Sequence, residues 1–224
     1  LAHDVAPAFE QTLPEGDLAK KMTIAARLIN ANVGMRVIDV GLDGFDTHAD
    51  QLDGHPGLLG QLDEAIGVFY GTLAPEWRDR VTIMTMSEFG RTSWSNESGG
   101  TDHGTAAPLF VMGTRVKGGL YGQAPSLAGL RRWDQMPSYV DFRWVLGSVI
   151  DGWLGGGGST ILSGSFENLG LFSGAPGTPG AEIPVVVLPP AAASGFVASA
   201  PQRVFDTRDG TGGRTTPLGD GETW

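Results

Sequence analysis

Apolar residues recur every three to four positions at Leu18, Met22, Ala25, Ile29 and Val33, which predicts an amphipathic helix over 18–32. The run Arg36-Val37-Ile38-Asp39-Val40-Gly41 is short, β-branched and closed by glycine, the pattern of a buried strand. A second helix is predicted over 56–73, where Leu58, Leu62, Ile66, Phe69 and Leu73 share a face. Pro56 suits its first turn, since the missing N–H costs nothing there. Strands are predicted at 81–86 and 107–112. Ser87-Glu88-Phe89-Gly90-Arg91 follows the first, and a glycine-rich loop, Gly99-Gly100-Thr101-Asp102-His103-Gly104, leads into the second. A last helix over 139–154 carries Val140, Val145, Val149 and Ile150, with Phe142, Trp144 and Trp153 assigned to core packing. Alternating helices and strands predict an α/β fold, a sheet flanked by helices. Ligands bind such sheets beyond the carboxyl ends of the strands, where the polar stretches 43–48 and 88–91 both fall.

The texture changes after Leu154. Four glycines stand at 155–158, and 174–190 is rich in Gly, Pro and Ala. The predicted organisation is an α/β domain over 1–172, a Gly/Pro/Ala-rich linker over 173–194, and the start of a β-rich module over 195–224. Both ends have the texture of an interrupted pattern, so the chain is expected to be a fragment of something longer.

Composition narrows the function classes. A net charge of −10 argues against a nucleic-acid partner, which would need clustered Lys and Arg. No apolar run approaches the roughly 20 residues that cross a bilayer. The absence of cysteine excludes thiolate ligands, disulfides and cysteine nucleophiles.

Chemistry concentrates in the loops. Asp46 and His48 lie two apart after a strand, and in an extended segment such residues point the same way. Glu88 follows the next strand, and Asp102 and His103 sit between glycines that permit close backbone approach. Together these residues offer two imidazoles and three carboxylates. That mixed N/O set suits a divalent cation such as Zn, Mn, Mg or Ca. Arg91 either clamps an anionic substrate or pairs with Glu88. Asp43 fits a loop Asx turn as well as a site. His3 and His55, without carboxylate neighbours at a strand end, read as structural. Ser87 with His103 and an Asp offers a serine-hydrolase alternative, but its neighbours Met86 and Glu88 lack the Gly-x-Ser-x-Gly elbow.

The strings Gly44-Phe45-Asp46-Thr47-His48, Ser87-Glu88-Phe89-Gly90-Arg91 and Gly99-Gly100-Thr101-Asp102-His103-Gly104 resemble the domain of unknown function 1501 family. So do Val116-Lys117-Gly118-Gly119-Leu120-Tyr121-Gly122 and Val140-Asp141-Phe142-Arg143, so that the likeness covers about 18–154. That family resembles the alkaline-phosphatase and sulfatase superfamily. The resemblance implies a mixed sheet between helices with metals at the strand ends, and a nucleophile upstream of Leu1. It also implies an exported bacterial protein acting on a small anionic ester. Asp46, His48, Glu88, Asp102 and His103 would be ligands or would orient ligands, with Arg91 and Lys117 facing the substrate. One departure stands out: phosphatases and sulfatases usually present Asp-His-Gly where this chain has Glu88-Phe89-Gly90, and Phe89 cannot ligate. A non-catalytic protein binding a cell-envelope component is therefore the alternative. The segment Pro201-Gln202-Arg203-Val204-Phe205-Asp206-Thr207-Arg208 resembles a β-rich module of secreted actinobacterial proteins, which agrees with export.

Overall fold

Two helices build the first core. In the computed structural model, which describes residues 11–173, α1 spans Asp17–Asn30 and α2 spans Gln51–Thr72. Leu18, Ala19, Met22, Ala25 and Ala26 of α1 are buried together with Ala65 and Phe69 of α2 and Leu73 just beyond it. Ala26 and Ala65 have no exposed surface, and their small side chains let the helices approach closely. Asn30 ties the two helix ends: its Nδ2 donates to the Thr72 carbonyl and its Oδ1 accepts from the Ala74 N–H, both at 2.9 Å.

The second helix starts five residues before the position that Pro56 suggested, and Pro56 lies inside it. The early start has a cause in the backbone. Gln51 donates to the Gly99 carbonyl, while Asp53 and Gly54 donate to that of Asp50, so first-turn donors find partners.

A short 3₁₀ turn, Pro75–Arg80, leads to β1 (Ile83–Met84). Strand β2 (Gly90–Ser95) and β3 (Thr101–Gly104) follow, then β4 (Val111–Met112). β1 pairs antiparallel with β4, Ile83 opposite Met112. Successive strand residues face opposite ways, so Ile83 packs on the first core while Met84 and Val111 pack on a second. The fold is thus mixed, with helices and small antiparallel sheets. The sheets are smaller than predicted: among the described residues there are two, each two-stranded and antiparallel.

The stretch 36–41 carries no ladder. Ile38, Val40 and Leu42 pack on the first core, whereas Val37 is 70% exposed. The period of two is present without a neighbouring strand to bond. Residues 101–104, read as loop, form a strand instead, because β2 supplies the partner that their sequence does not reveal.

The second core joins Val145 of α3 (Phe142–Gly152) to Leu171 and Phe172, with Val149 and Trp153 against them. The Asp141 side chain caps α3, accepting from the Arg143 N–H at 2.8 Å. Phe142 corrects its core assignment: it is 58% exposed at the first position of the helix, beside the Arg143 guanidinium. Gly155, Gly156 and Gly157, all at φ between 94° and 106°, turn the chain sharply, a conformation that glycine adopts without strain. After α4 (Gly158–Ile161) the chain returns, and Phe172 bridges Val116. The four glycines therefore open a turn within the domain. His3, the linker and the β-rich module lie outside the described residues, apart from Ser173 at the linker's start.

Candidate metal centre

Three segments converge on Asp46. The β2–β3 hairpin places Arg91 opposite His103, and its connecting loop lies against 47–51. Thr101 donates to the Thr47 carbonyl at 3.2 Å, Asp50 to that of Ser98 at 3.2 Å, and Ala49 bridges Gly99. Gly100 makes this contact possible. A Cβ there would collide with the carbonyls of His48 and Thr47, so no other residue fits without separating the two segments. Gly90 and Gly104 are constrained in the same way, by Ala106 and by Arg91.

Asp46 Oδ1 receives three groups: Arg91 Nη1 at 2.8 Å, His103 Nε2 at 2.8 Å and His48 Nε2 at 2.9 Å. The hydrogen bond of His103 first, and that of Arg91 second, hold the Asp46 carboxyl below the usual carboxylate range. Behind His48, its Nδ1 meets Asp102 Oδ1 at 3.2 Å. The Asp102 carboxyl is likewise held low, chiefly by the Asn96 amide and then by His48. Phe89 stacks on the His103 ring, centroids 3.7 Å apart and 12° between planes.

Asp46, His48 and His103 each offer one ligand atom within 4.8 Å of the others. One carboxylate and two imidazoles form a donor set suited to zinc or another borderline divalent ion. Ligands that share a tetrahedral ion at about 2.0–2.1 Å lie about 3.3 Å apart, so the 2.8 and 2.9 Å separations would open by about half an ångström to admit one. By donor type the residues present fit a cation. All three residues are exposed, so a cation and its solvent could enter directly.

Asp102 stands behind His48 as a partner that orients it. Arg91 does not pair with Glu88. Its Nη1 takes Asp46, while Nε and Nη2 donate to Thr101 Oγ1 and to the Thr101 carbonyl. Glu88 is exposed just before β2 and is not among the grouped donors. Lys117 is exposed and bonds through its backbone to Leu171. Ser87 Oγ donates to the Phe89 carbonyl at 2.8 Å, so it is engaged away from either histidine. His55 packs edge-on against Phe45, in keeping with a structural role. Asn96, Thr92 and Thr101 escaped the sequence reading, because nothing in a polar turn marks which amide or hydroxyl will meet a carboxylate.

The family described as Protein of unknown function (DUF1501) matches residues 5–136, more than half of the chain. The chain is a member of the DUF1501 family. The matched region holds every residue around Asp46, whereas α3 of this DUF1501 protein, with Val140 to Arg143, lies beyond it. No curated protein and no solved structure matches the chain.

Proposed function

We propose that this DUF1501 protein is an exported, metal-dependent hydrolase-like protein on an alkaline-phosphatase-like fold, acting on phosphate or sulfate esters. The observation that carries the proposal is the convergence of Asp46 Oδ1, His48 Nε2 and His103 Nε2. Export and the superfamily rest on the motif resemblance alone. A divalent cation bound there supplies Lewis-acid polarisation of an ester oxygen. Asp46, His48 and His103 hold it, and Asp102 orients His48 from behind. Arg91 keeps a positive charge at the same carboxylate, where it adds to the attraction for an anionic ester. Phe89 screens one face of His103 from water.

The test is elemental analysis of wild type beside a His48→Ala/His103→Ala double variant, followed by a phosphate- and sulfate-ester screen of metal-loaded protein. Stoichiometric metal that disappears in the variant, with turnover of an ester, supports the reading. Wild type that stays metal-free after reconstitution refutes it.

The second reading is a non-catalytic binding protein for an envelope component. It is favoured by Phe89, whose ring lies on His103 at the place where phosphatases and sulfatases carry a ligating histidine. Bound metal without turnover of any ester would favour it.

A further inference from the structure

We propose that Asn96 is a positioning residue for the cation site, acting through Asp102 to hold His48 with a hydrogen on Nδ1, so that Nε2 is the nitrogen left for the cation. The inference rests on the metal reading above, but its first readout does not.

Asn96 follows β2 directly, and its amide has a single workable orientation. Its Oδ1 accepts from the N–H groups of Ser98 and Gly100, both at 3.0 Å. Its Nδ2 donates to the His48 carbonyl at 2.8 Å and to Asp102 Oδ1 at 3.2 Å. A flipped amide would set NH₂ against two N–H donors and the oxygen against two acceptors, four mismatches at once. The loop therefore decides where the NH₂ points.

Asp102 is pinned in turn. Its oxygen takes the Asn96 bond, and its N–H donates to Thr92 Oγ1 at 3.2 Å. An ionised carboxylate only accepts, so the His48 nitrogen facing it at 3.2 Å must carry the hydrogen. Nε2 faces a second acceptor, Asp46 Oδ1 at 2.9 Å, so without an ion it too meets a group that takes a hydrogen. A cation beside Nε2 and Asp46 Oδ1 would take the place of that hydrogen, and the ring would keep the one on Nδ1. Asn96 thus sets His48 twice, through its backbone carbonyl and through the carboxylate behind its ring. Such partners behind a ligand are worth about 10–100-fold in metal affinity.

The test uses three single variants of the full chain, long-range ¹H–¹⁵N spectra of the metal-free protein, and titration with zinc alone. Asn96→Asp keeps acceptors for Ser98 and Gly100 but loses both donors. Asp102→Ala removes the acceptor behind His48, and Asp102→Asn retains a neutral one. Wild-type His48 is expected to carry a hydrogen on Nδ1, with or without a second on Nε2, and to keep it when zinc takes Nε2. Asn96→Asp and Asp102→Ala should populate both tautomers and weaken zinc about 10–100-fold, with Asp102→Asn restoring most of the loss. A wild type whose only ring hydrogen on His48 is on Nε2 overturns the proposal. So does an Asn96→Asp protein whose tautomer and zinc affinity are both unchanged. If wild type binds no zinc yet shows the Nδ1–H form, and Asn96→Asp loses it, the cation reading fails and the positioning of the ring stands. A variant that unfolds shows itself in the dispersion of the same spectra, and Asp102→Asn then decides: loss of the Nδ1–H form despite its retained acceptor overturns the proposal.

Discussion

Gly100→Ala is the substitution that most directly tests how the hairpin meets the Asp46–His48 segment. The added methyl would lie inside the His48 and Thr47 carbonyls, which are backbone atoms and cannot swing aside as a long side chain would. Relief requires the loop to move off 47–48, which breaks the bond from Thr101 N–H to the Thr47 carbonyl. Overpacking of this kind costs about 1–3 kcal/mol. One lost backbone hydrogen bond adds about 1 kcal/mol. The expected loss is therefore about 2–4 kcal/mol, large against a total of about 5–15 kcal/mol. Urea unfolding followed by tryptophan fluorescence measures it as a lower midpoint at constant slope. Gly57→Ala is the control, since a methyl at Gly57 meets nothing within 4 Å. A Gly100→Ala midpoint within error of wild type would refute the contact between the hairpin loop and 47–48.

Gly60→Ala, in an open position on α2, should stabilise by about 0.5–1 kcal/mol, read as a rise in melting temperature. Leu73→Ala removes a side chain that is 1% exposed at the centre of the first core and should cost about 2–5 kcal/mol in the same unfolding assay. Asp141, held at about 2 by Arg143, has a folded pKa below its unfolded one, so its contribution is complete above pH 4 and fades as pH falls toward 2; Asp141→Asn should flatten stability against pH in that window alone. Asp46 and Asp102 are shifted in the same direction, so the loop–hairpin attachment should resist proteolysis at pH 5 and loosen only in acid, below the unfolded carboxylate pKa of about 3.9.

Periodicity located the long elements well. The 3.6-residue stripe over 18–32 corresponds to α1, and the stripe at 139–154 contains α3, trimmed to the segment that Asp141 caps. It failed where an element depends on a partner. Residues 36–41 have the alternation of a strand but no bonded neighbour among the described residues, and 101–104 look like loop but acquire β2. Hydrogen-bonded pairing is a property of two segments, and one segment's composition does not contain it. The candidate site divides in the same way. The grouping of Asp46, His48 and His103 was foreshadowed by ligand-type residues crowding into polar stretches, although 36–41 pairs with no strand and His103 lies within β3. The separation of Asp102 from Glu88 was not, since orienting a histidine and ignoring it require the same carboxylate.

The return of Leu171 and Phe172 to the second core has a consequence for biosynthesis. Val145, Val149 and Trp153 are translated before the two residues that cover them. At about 5–20 residues per second, the ribosome adds the 19 residues from Trp153 to Phe172 in roughly 1–4 s. The first core, complete by Ile83, can close while that synthesis continues. The nascent chain therefore carries one finished half and one uncovered apolar surface for seconds, long enough for a chaperone to bind. Slowing translation across the glycine run should lengthen that window and increase aggregation without altering a single residue of the product.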